Sequence, residues 1–480
     1  MTLGRGREAR RDVAYAALMG GDLAVRLGAV YALVELADEW LGEVSLPVGV
    51  RRGHVQGVID RLCAYLRSPL STAADNGPVG ESTGAQGRIQ QAIVEEIHRR
   101  VQHPVASAEG ASLAGTWSGF AFNFSGAVFV CTVNFTGSRW EHEVDFSDCI
   151  FMRDALFSCS AFAGTANFTH SPYRALADFS ESLYQDAAYF GGCTWGGAVN
   201  FSGCTFRAGA YFLGCCYGAD TVFTGCFFAG TVVMMYSAYR GAFTATGCTF
   251  AGDADLSSSA YYGPASLRGC VFLADAWLGG GSWGGRTVFS GSVFEGAADF
   301  SGAAYLADAI FTDAVFVNCA PSLRECVFSP YSVQEFTRTP EQEHPIVLEG
   351  GLPVGSHLLT PGQLARLAKL RQKVTQRCEQ LADKPAGSAA HRRAARRLEQ
   401  AHEALARRAH SRLMRHSKPG YTKAINLHRF IDTVSRTART ITRHRPFTGR
   451  TPHHAPCYAF PVEPSPRSNC APFCEPPAAA

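Results

Sequence analysis

The sequence predicts a mainly β solenoid with α-helical segments on both sides. The first observation is a pair of interleaved series of large apolar residues, one starting at Phe124 and the other five residues later at Phe129. Each series keeps a spacing of eleven up to Phe311 and Phe316, respectively. The second observation is the helical spacing of apolar residues before and after this region. A short period kept over this length indicates a solenoid, whose units bury their apolar faces only against their neighbours.

The two series define the residues that we predict to point inward. Only Ala245 departs from the rule that each position holds a large apolar side chain. The positions that we assign to the structural core columns are Phe146, Phe151, Phe157, Phe162, Phe190, Phe201, Phe206, Phe212, Phe223, Phe289, Phe294 and Phe300.

The local unit within the repeats reads small residue, Asp or Asn, aromatic residue, Ser or Thr, then Gly. Clear copies are Val133-Asn134-Phe135-Thr136-Gly137 and Ala298-Asp299-Phe300-Ser301-Gly302. Over residues 122–328 this resembles the pentapeptide-repeat family. The resemblance implies a right-handed quadrilateral β-helix, in which the aromatic and the small residue two places earlier point inward and the other positions face solvent. Because alternate faces carry an extra residue, we expect about 22 residues per coil and roughly nine coils.

Seven cysteines fall at one position of the repeat, two residues before a member of the second series. Ser, Ala or Gly occupies this position in other coils, so we interpret the cysteines as small packed residues. Coils about 4.8 Å apart hold neighbouring Cβ atoms too far apart for a disulfide, which favours reduced thiols. The cysteines are Cys149, Cys193, Cys204, Cys215, Cys226, Cys248 and Cys270.

Composition divides the chain into segments. Residues 124–328 hold 8 Lys and Arg against 17 Asp and Glu, whereas residues 337–480 hold 24 against 10. The expected organisation is an α-helical region over 1–67, a flexible linker over 68–87, a capping helix over 88–105, the β-helix over 115–330, a cap or loop over 331–358, a basic helical segment over 359–445 and a disordered tail over 446–480.

A dense positive stripe is predicted on the second helix of the basic segment. Arginines at helical spacing can neutralise several phosphates, so nucleic-acid contact is possible there. Residues 387–415 also resemble a helical segment of insertion-sequence-encoded RNA-guided nucleases, without the acidic catalytic motif. The candidate contact residues are Arg392, Arg393, Arg396, Arg397, Arg407 and Arg408.

No residue pattern predicts catalysis, a cofactor or a metal. The tail residues His453, His454, Cys457, Cys470 and Cys474 fit no closed zinc spacing. Scattered Ser and His residues form no nucleophile motif, and the short Gly runs lack the Lys of a phosphate loop. We therefore expect a protein that is not an enzyme.

The leading functional hypothesis is a scaffold that binds another protein along an outer face of the β-helix, with weak DNA mimicry conceivable from the acidic repeats. The alternative is nucleic-acid binding through the Arg-rich C-terminal helices. A homodimer and membrane-surface association through the basic helices stay open. The sequence lacks a long apolar segment and a secretory leader, so we expect a soluble, cytoplasmic protein.

Overall fold

A computed structural model of the chain describes residues 2–69, 79–102, 115–336, 344–384 and 388–409. These residues belong to one compact unit, Met1–Ala438. The predicted disordered tail and the five potential metal ligands in it lie outside the described residues.

The described helices stand before and after the repeats. Asp22 begins one of them by accepting a hydrogen bond from the Val25 N–H, and Thr360 begins another through a reciprocal capping box with Gln363. None of the described helices combines the length and the apolar composition needed to span a bilayer. Their bounds are α1 Thr2–Met19, α2 Leu23–Gly42, α3 Val48–Leu66, α4 Val79–Val101, α5 Pro361–Ala382 and α6 Ala389–Ala409.

The start of α4 corrects the predicted linker. We expected 68–87 to be flexible, but α4 begins at Val79 and includes its second half. Gln86 in that stretch accepts hydrogen bonds from Arg26 and Tyr65 of the preceding helices. The helix also ends earlier than the predicted 105, at Val101.

Between the helices, the described residues form a parallel β-helix with four faces. Face 1 contains Phe122–Asn123, Val144–Asp145, Ala166–Asn167, Ala188–Tyr189, Ala210–Tyr211, Val232–Val233, Ala254–Asp255, Ala276–Trp277 and Ala298–Asp299. Face 2 contains Val128–Phe129, Ile150–Phe151, Pro172–Tyr173, Thr194–Trp195, Cys216–Tyr217, Ala238–Tyr239, Ala260–Tyr261, Ser282–Trp283, Ala304–Tyr305, Val327–Phe328 and His357–Leu358. Face 3 contains Val133–Asn134, Ala155–Leu156, Ala177–Asp178, Val199–Asn200, Thr221–Val222, Phe243–Thr244, Ala265–Ser266, Thr287–Val288, Ala309–Phe311 and Gln334–Phe336. Face 4 contains Arg139–Trp140, Ala161–Phe162, Leu183–Tyr184, Thr205–Phe206, Phe227–Phe228, Thr249–Phe250, Val271–Phe272, Val293–Phe294 and Val315–Phe316.

The pairing register confirms the predicted coil of about 22 residues. Ala177 pairs with Val199, and Val199 pairs with Thr221, so the same face returns every 22 residues. The corner two residues after each member of the first series has a left-handed backbone, with φ of +68° at Gly203. Glycine is favoured at this corner because it adopts positive φ without a Cβ clash.

Inside the β-helix the aromatic rings stack from coil to coil. Phe168, Phe190 and Phe212 lie with ring centroids 5.0 and 4.9 Å apart and with their planes parallel within 1°. All the predicted core-column residues are at most 1% exposed. The interior is therefore filled by side chains along the stacked coils.

Ala245, the small residue in the series of large inward residues, is compensated by a large side chain two residues earlier. Phe243 occupies an inward position that holds Ala, Val or Thr in the other coils, and its side chain is 1% exposed. Its ring lies 4.7 Å from that of Tyr239 and 5.3 Å from that of Tyr261. The large and small residues have exchanged places, so this coil keeps a filled interior.

The first coil is closed by side chains of α3 and α4. Gln56 donates to the Ala121 carbonyl and accepts from the Ala121 N–H, at 2.8 and 3.2 Å. Gln90 donates to the Val128 carbonyl and accepts from the Val130 N–H, at 2.8 and 2.9 Å. Each amide thus replaces a missing neighbouring strand, and this blocks edge-to-edge association.

The other end corrects the prediction that the β-helix stops at Pro330. Gln334–Phe336 pairs with face 3, and His357–Leu358 pairs with face 2, so the predicted cap over 331–358 contributes strands of its own. Pro330 is tolerated because it lies at the corner between these faces, outside the strand pairing. An antiparallel pair, Leu348–Glu349 and Leu352–Pro353, lies between the two added strands.

Candidate interaction surface

The inward small position of faces 2 and 4 has a polar function as well as a size limit. Cys226 donates its S–H to the Phe201 carbonyl at 3.0 Å, and Ser182 donates its O–H to the Phe157 carbonyl at 2.9 Å. Burial raises the pKa of the Cys226 thiol, which favours its neutral form. All seven predicted cysteines are buried and free, and they act as internal hydrogen-bond donors.

The Asp and Asn residues of the repeat are less exposed than we expected. Asp145 is only 6% exposed, because its carboxylate accepts from the Ser147 N–H and from the Asn167 side-chain amide. Asp178 accepts in the same way from the N–H and hydroxyl of Ser180. These residues fix the corner after the strand, so the prediction that they are solvated was wrong for Asp145.

Face 2 is covered by the C-terminal helix pair, α5 and α6, and this corrects the expectation that all outer positions face solvent. The outer positions of its central strands hold small residues, which let the helices lie close. The apolar residues Leu367, Val374 and Leu381 of α5 and Leu398 and Leu405 of α6 are buried there. The small outer residues of face 2 are Cys216, Ala238, Ala260, Ser282 and Ala304.

A buried arginine fixes α5 on face 2. The Arg371 guanidinium donates to the Ser282 carbonyl and hydroxyl at 2.9 and 2.5 Å, and to the Tyr261 carbonyl at 2.8 Å. It also lies 4.2 Å from the centre of the Tyr262 ring. Burial lowers the pKa of Arg371, and the carbonyl oxygens offset the desolvation of its charge. A Cβ at Gly284 would collide with this guanidinium, so glycine is required there.

Two histidines of α6 are buried against the corner between faces 1 and 2. The ring of His391 lies 5.8 Å from that of His170 in an edge-to-face arrangement. His402 is fully buried, and burial lowers its pKa to about 4. Burial therefore keeps His402 neutral near pH 7.

Face 4, on the opposite side from face 2, is apolar and open within the described part of the chain. Phe227, Leu273 and Val317 are 41%, 43% and 40% exposed. From the strand at Phe227 to the strand ending at Phe316, the outer strand positions carry no charge, although the partly exposed Glu295 stands at the position of Leu273 and Val317 in the coil between them. These outer positions are Phe227, Thr249, Val271, Val293 and Val315.

The positive stripe lies on the side of α6 away from the β-helix. Arg393, Arg396 and Arg397 are exposed, whereas the neighbouring Ala394 and Leu398 are buried. Arg392 is exposed as well but makes a polar contact. The side chains of Arg407 and Arg408 lie outside the described residues. In the described ranges, no group of three or more potential metal-ligating side chains comes together.

Sequence reasoning missed that face 2 is covered. The signal was present as a run of small residues that recurs every 22 positions from Cys216 to Ala304, next to a later helix with an apolar face. A residue with a small side chain at an outer position is also common on an exposed sheet, so the signal alone was ambiguous.

A protein-family model described as pentapeptide repeats (9 copies) matches residues 185–226. No curated protein and no solved structure matches the chain. These comparisons lend no support to the resemblance of 387–415 to the nucleases. The matched residues lie within the four-faced β-helix and share the register of the coils on both sides, which supports the resemblance of the repeat region to the pentapeptide-repeat family.

Proposed function

We propose that the chain is a non-enzymatic scaffold that binds another protein through face 4. The observation that carries this proposal is the exposure of Phe227, Leu273 and Val317 on a face whose outer strand positions are uncharged over five coils. Exposed apolar patches of this kind are typical of protein-binding surfaces. The filled interior leaves only the outer faces and the ends for binding.

Face 2 indicates which kind of partner fits face 4. The chain covers the small and apolar outer residues of face 2 with an amphipathic helix pair. Face 4 has similar chemistry, with larger β-branched side chains. We therefore infer a partner that presents an uncharged apolar surface on one or two helices, and a reducing cytoplasmic setting, which agrees with the free thiols of the repeats.

The test compares aspartate substitutions on face 4 with one on face 3. Phe227→Asp or Leu273→Asp on face 4 should weaken binding of a captured partner at least about tenfold, because a carboxylate would be buried in an apolar interface. Val222→Asp on face 3 is the matched control and should leave binding unchanged. Equal effects of the three changes on binding would refute the proposal. Sedimentation that shows a dimer dissociated by Leu273→Asp would reassign face 4 to a second copy of this chain.

DNA mimicry is not part of this proposal. A mimic needs exposed carboxylates at regular intervals, whereas Asp145 is buried and Asp178 and Asp299 accept hydrogen bonds from backbone N–H groups. The acidic side chains of the repeats therefore act in part as corner residues.

A second candidate function is nucleic-acid binding through α6, favoured by the exposed guanidinium groups of Arg393, Arg396 and Arg397. Binding of duplex and single-stranded DNA would be measured at two salt concentrations for the full chain and for the triple alanine variant. Loss of affinity and a shallower salt dependence in the variant would support this function. Equal weak binding by both proteins would exclude these three residues as the contact.

A further inference from the structure

Two buried thiols meet where the C-terminal helix pair packs on face 2. Cys216 is an outer residue of face 2, and Cys378 lies on the side of α5 that faces it. Both are free and buried in one cluster of the helix–sheet interface, where burial and then the neighbouring Cys378 thiol raise the pKa of Cys216. One cysteine therefore comes from the β-helix and the other from the structure that covers it.

Polar contacts hold α5 in register on both sides of this pair. Close to Cys378, Glu379 accepts from Arg240 at 3.2 Å, and the Ala382 carbonyl accepts from Arg174 at 3.1 Å. Two turns earlier in α5, Arg371 is bound to Ser282. These contacts prevent α5 from sliding along face 2, so Cys378 stays opposite Cys216.

The thiols inside face 4 provide an internal comparison. Cys204, Cys226, Cys248 and Cys270 follow one another on parallel strands, where the spacing of about 4.8 Å exceeds the Cβ separation of a disulfide. Each of them donates to a backbone carbonyl. The strand spacing places no such limit on Cys216 and Cys378, because they approach from two packed layers.

We propose that Cys216 and Cys378 form a reversible disulfide that fastens the C-terminal helix pair to face 2. With hydrogen peroxide as the oxidant, the Cys378 thiol is first oxidised to a sulfenic acid and one water leaves. The Cys216 sulfur then attacks that sulfur, the S–O bond breaks, the S–S bond forms and a second water leaves. In sum, one peroxide and two thiols give one disulfide and two waters. A thiol reductant reverses the reaction by exchange.

Access to the oxidant depends on the helix pair. Both thiols are covered when α5 is docked, and burial raises the pKa of Cys216, which makes its reactive thiolate scarce. Oxidation of Cys378 therefore begins when α5 lifts, and the disulfide closes when α5 returns. In the reduced protein, non-covalent contacts alone hold α5 on face 2, whereas the disulfide adds a covalent link.

The experiment treats the folded full chain with hydrogen peroxide, blocks the remaining thiols by alkylation and maps peptides without reduction. We expect a Cys216–Cys378 linkage, a rise of about 5 °C in the Tm and reversal of both by dithiothreitol. Mapping separates this linkage from any link through the exposed Cys159.

Three controls make the result decisive. Cys378→Ser should fold, as judged by circular dichroism, but lose the linkage and the Tm shift, whereas Cys248→Ser should keep both. A chain oxidised in denaturant should give mixed linkages. The proposal is overturned if the folded chain keeps Cys216 and Cys378 as free thiols, if the denatured chain gives the same linkage equally well, or if the linkage forms without a change in Tm.

Discussion

At the scale of single residues, the position two before each inward ring of faces 2 and 4 has to fit a small space, and in most coils its side chain also donates a hydrogen bond. Ser160 donates to the Phe135 carbonyl at 2.9 Å and accepts from the Ser138 N–H at 3.2 Å. Cys226 meets the same requirement with a thiol. An exchange of Ser and Cys at such a position therefore keeps the hydrogen bond, whereas a change to Ala removes it.

This interchange can be measured by urea unfolding. Cys226→Ser should change the free energy of unfolding by less than about 1 kcal/mol, because Ser keeps the donor. Ser160→Ala should lower it by about 1–3 kcal/mol, because it removes a donor and leaves the buried Ser138 N–H without this acceptor. Equal small effects of both changes would show that only size matters.

The exchanged pair Phe243 and Ala245 gives a second prediction. Phe243→Ala should lower the free energy of unfolding by about 3–5 kcal/mol through a cavity. Ala245→Phe should lower it by about 1–3 kcal/mol through overpacking. The double variant restores the pattern of the other coils, a small residue followed two positions later by a large one. It should therefore recover most of the lost free energy of unfolding. Additive losses in this double-mutant cycle would contradict the compensation.

At the scale of elements, the ends and one face of the β-helix are protected by helices. The Gln56 and Gln90 amides pair with the first strands of faces 1 and 2, and Arg371 fixes α5 to face 2. Helices at these places satisfy backbone groups that a bare β-helix would leave open.

The end cap predicts a contrast between two neighbouring glutamines of α4. Gln90→Leu should lower the free energy of unfolding by about 2 kcal/mol and promote association, because the Val128 carbonyl and the Val130 N–H lose their partner. Gln91→Leu is the control, since the Gln91 side chain donates its hydrogen bond to the nearby Glu95 rather than to the β-helix. Thermal unfolding and light scattering would be compared. Similar behaviour of the two variants would argue against the cap.

Burial of His402 predicts a pH dependence for the C-terminal helix pair. Its pKa is lowered to about 4 from the ordinary 6.5, so the unfolded state binds the proton more readily. The contribution of neutral His402 to the free energy of unfolding is fully present above pH 6.5. It falls by roughly 3 kcal/mol as the pH drops to 4. His402→Leu should remove this part of the dependence, as measured by urea unfolding at several pH values. Identical pH profiles would mean that His402 is not the group that titrates.

At the scale of the whole molecule, the register of the sequence predicted a solenoid, and the resemblance to the pentapeptide-repeat family implied the four faces and, together with the register, the coil length. The reason is that the inward positions recur without a slip and their side chains touch the same position in the next coil. The use of the outer faces depends on contacts between distant segments, such as Arg371 with Ser282 and Cys378 with Cys216. No local pattern specifies such contacts, so the covered face and the end-capping glutamines required the structure.

The central functional claim is that face 2 is occupied by the chain itself while face 4 is left for a partner. Hydroxyl-radical footprinting of the full chain, with and without a captured partner, tests this most directly. Phe227, Leu273 and Val317 should lose reactivity on binding, whereas the exposed Leu176 and Met152 near other faces should keep theirs. Protection of Leu176 or Met152 with unchanged reactivity on face 4 would contradict the claim.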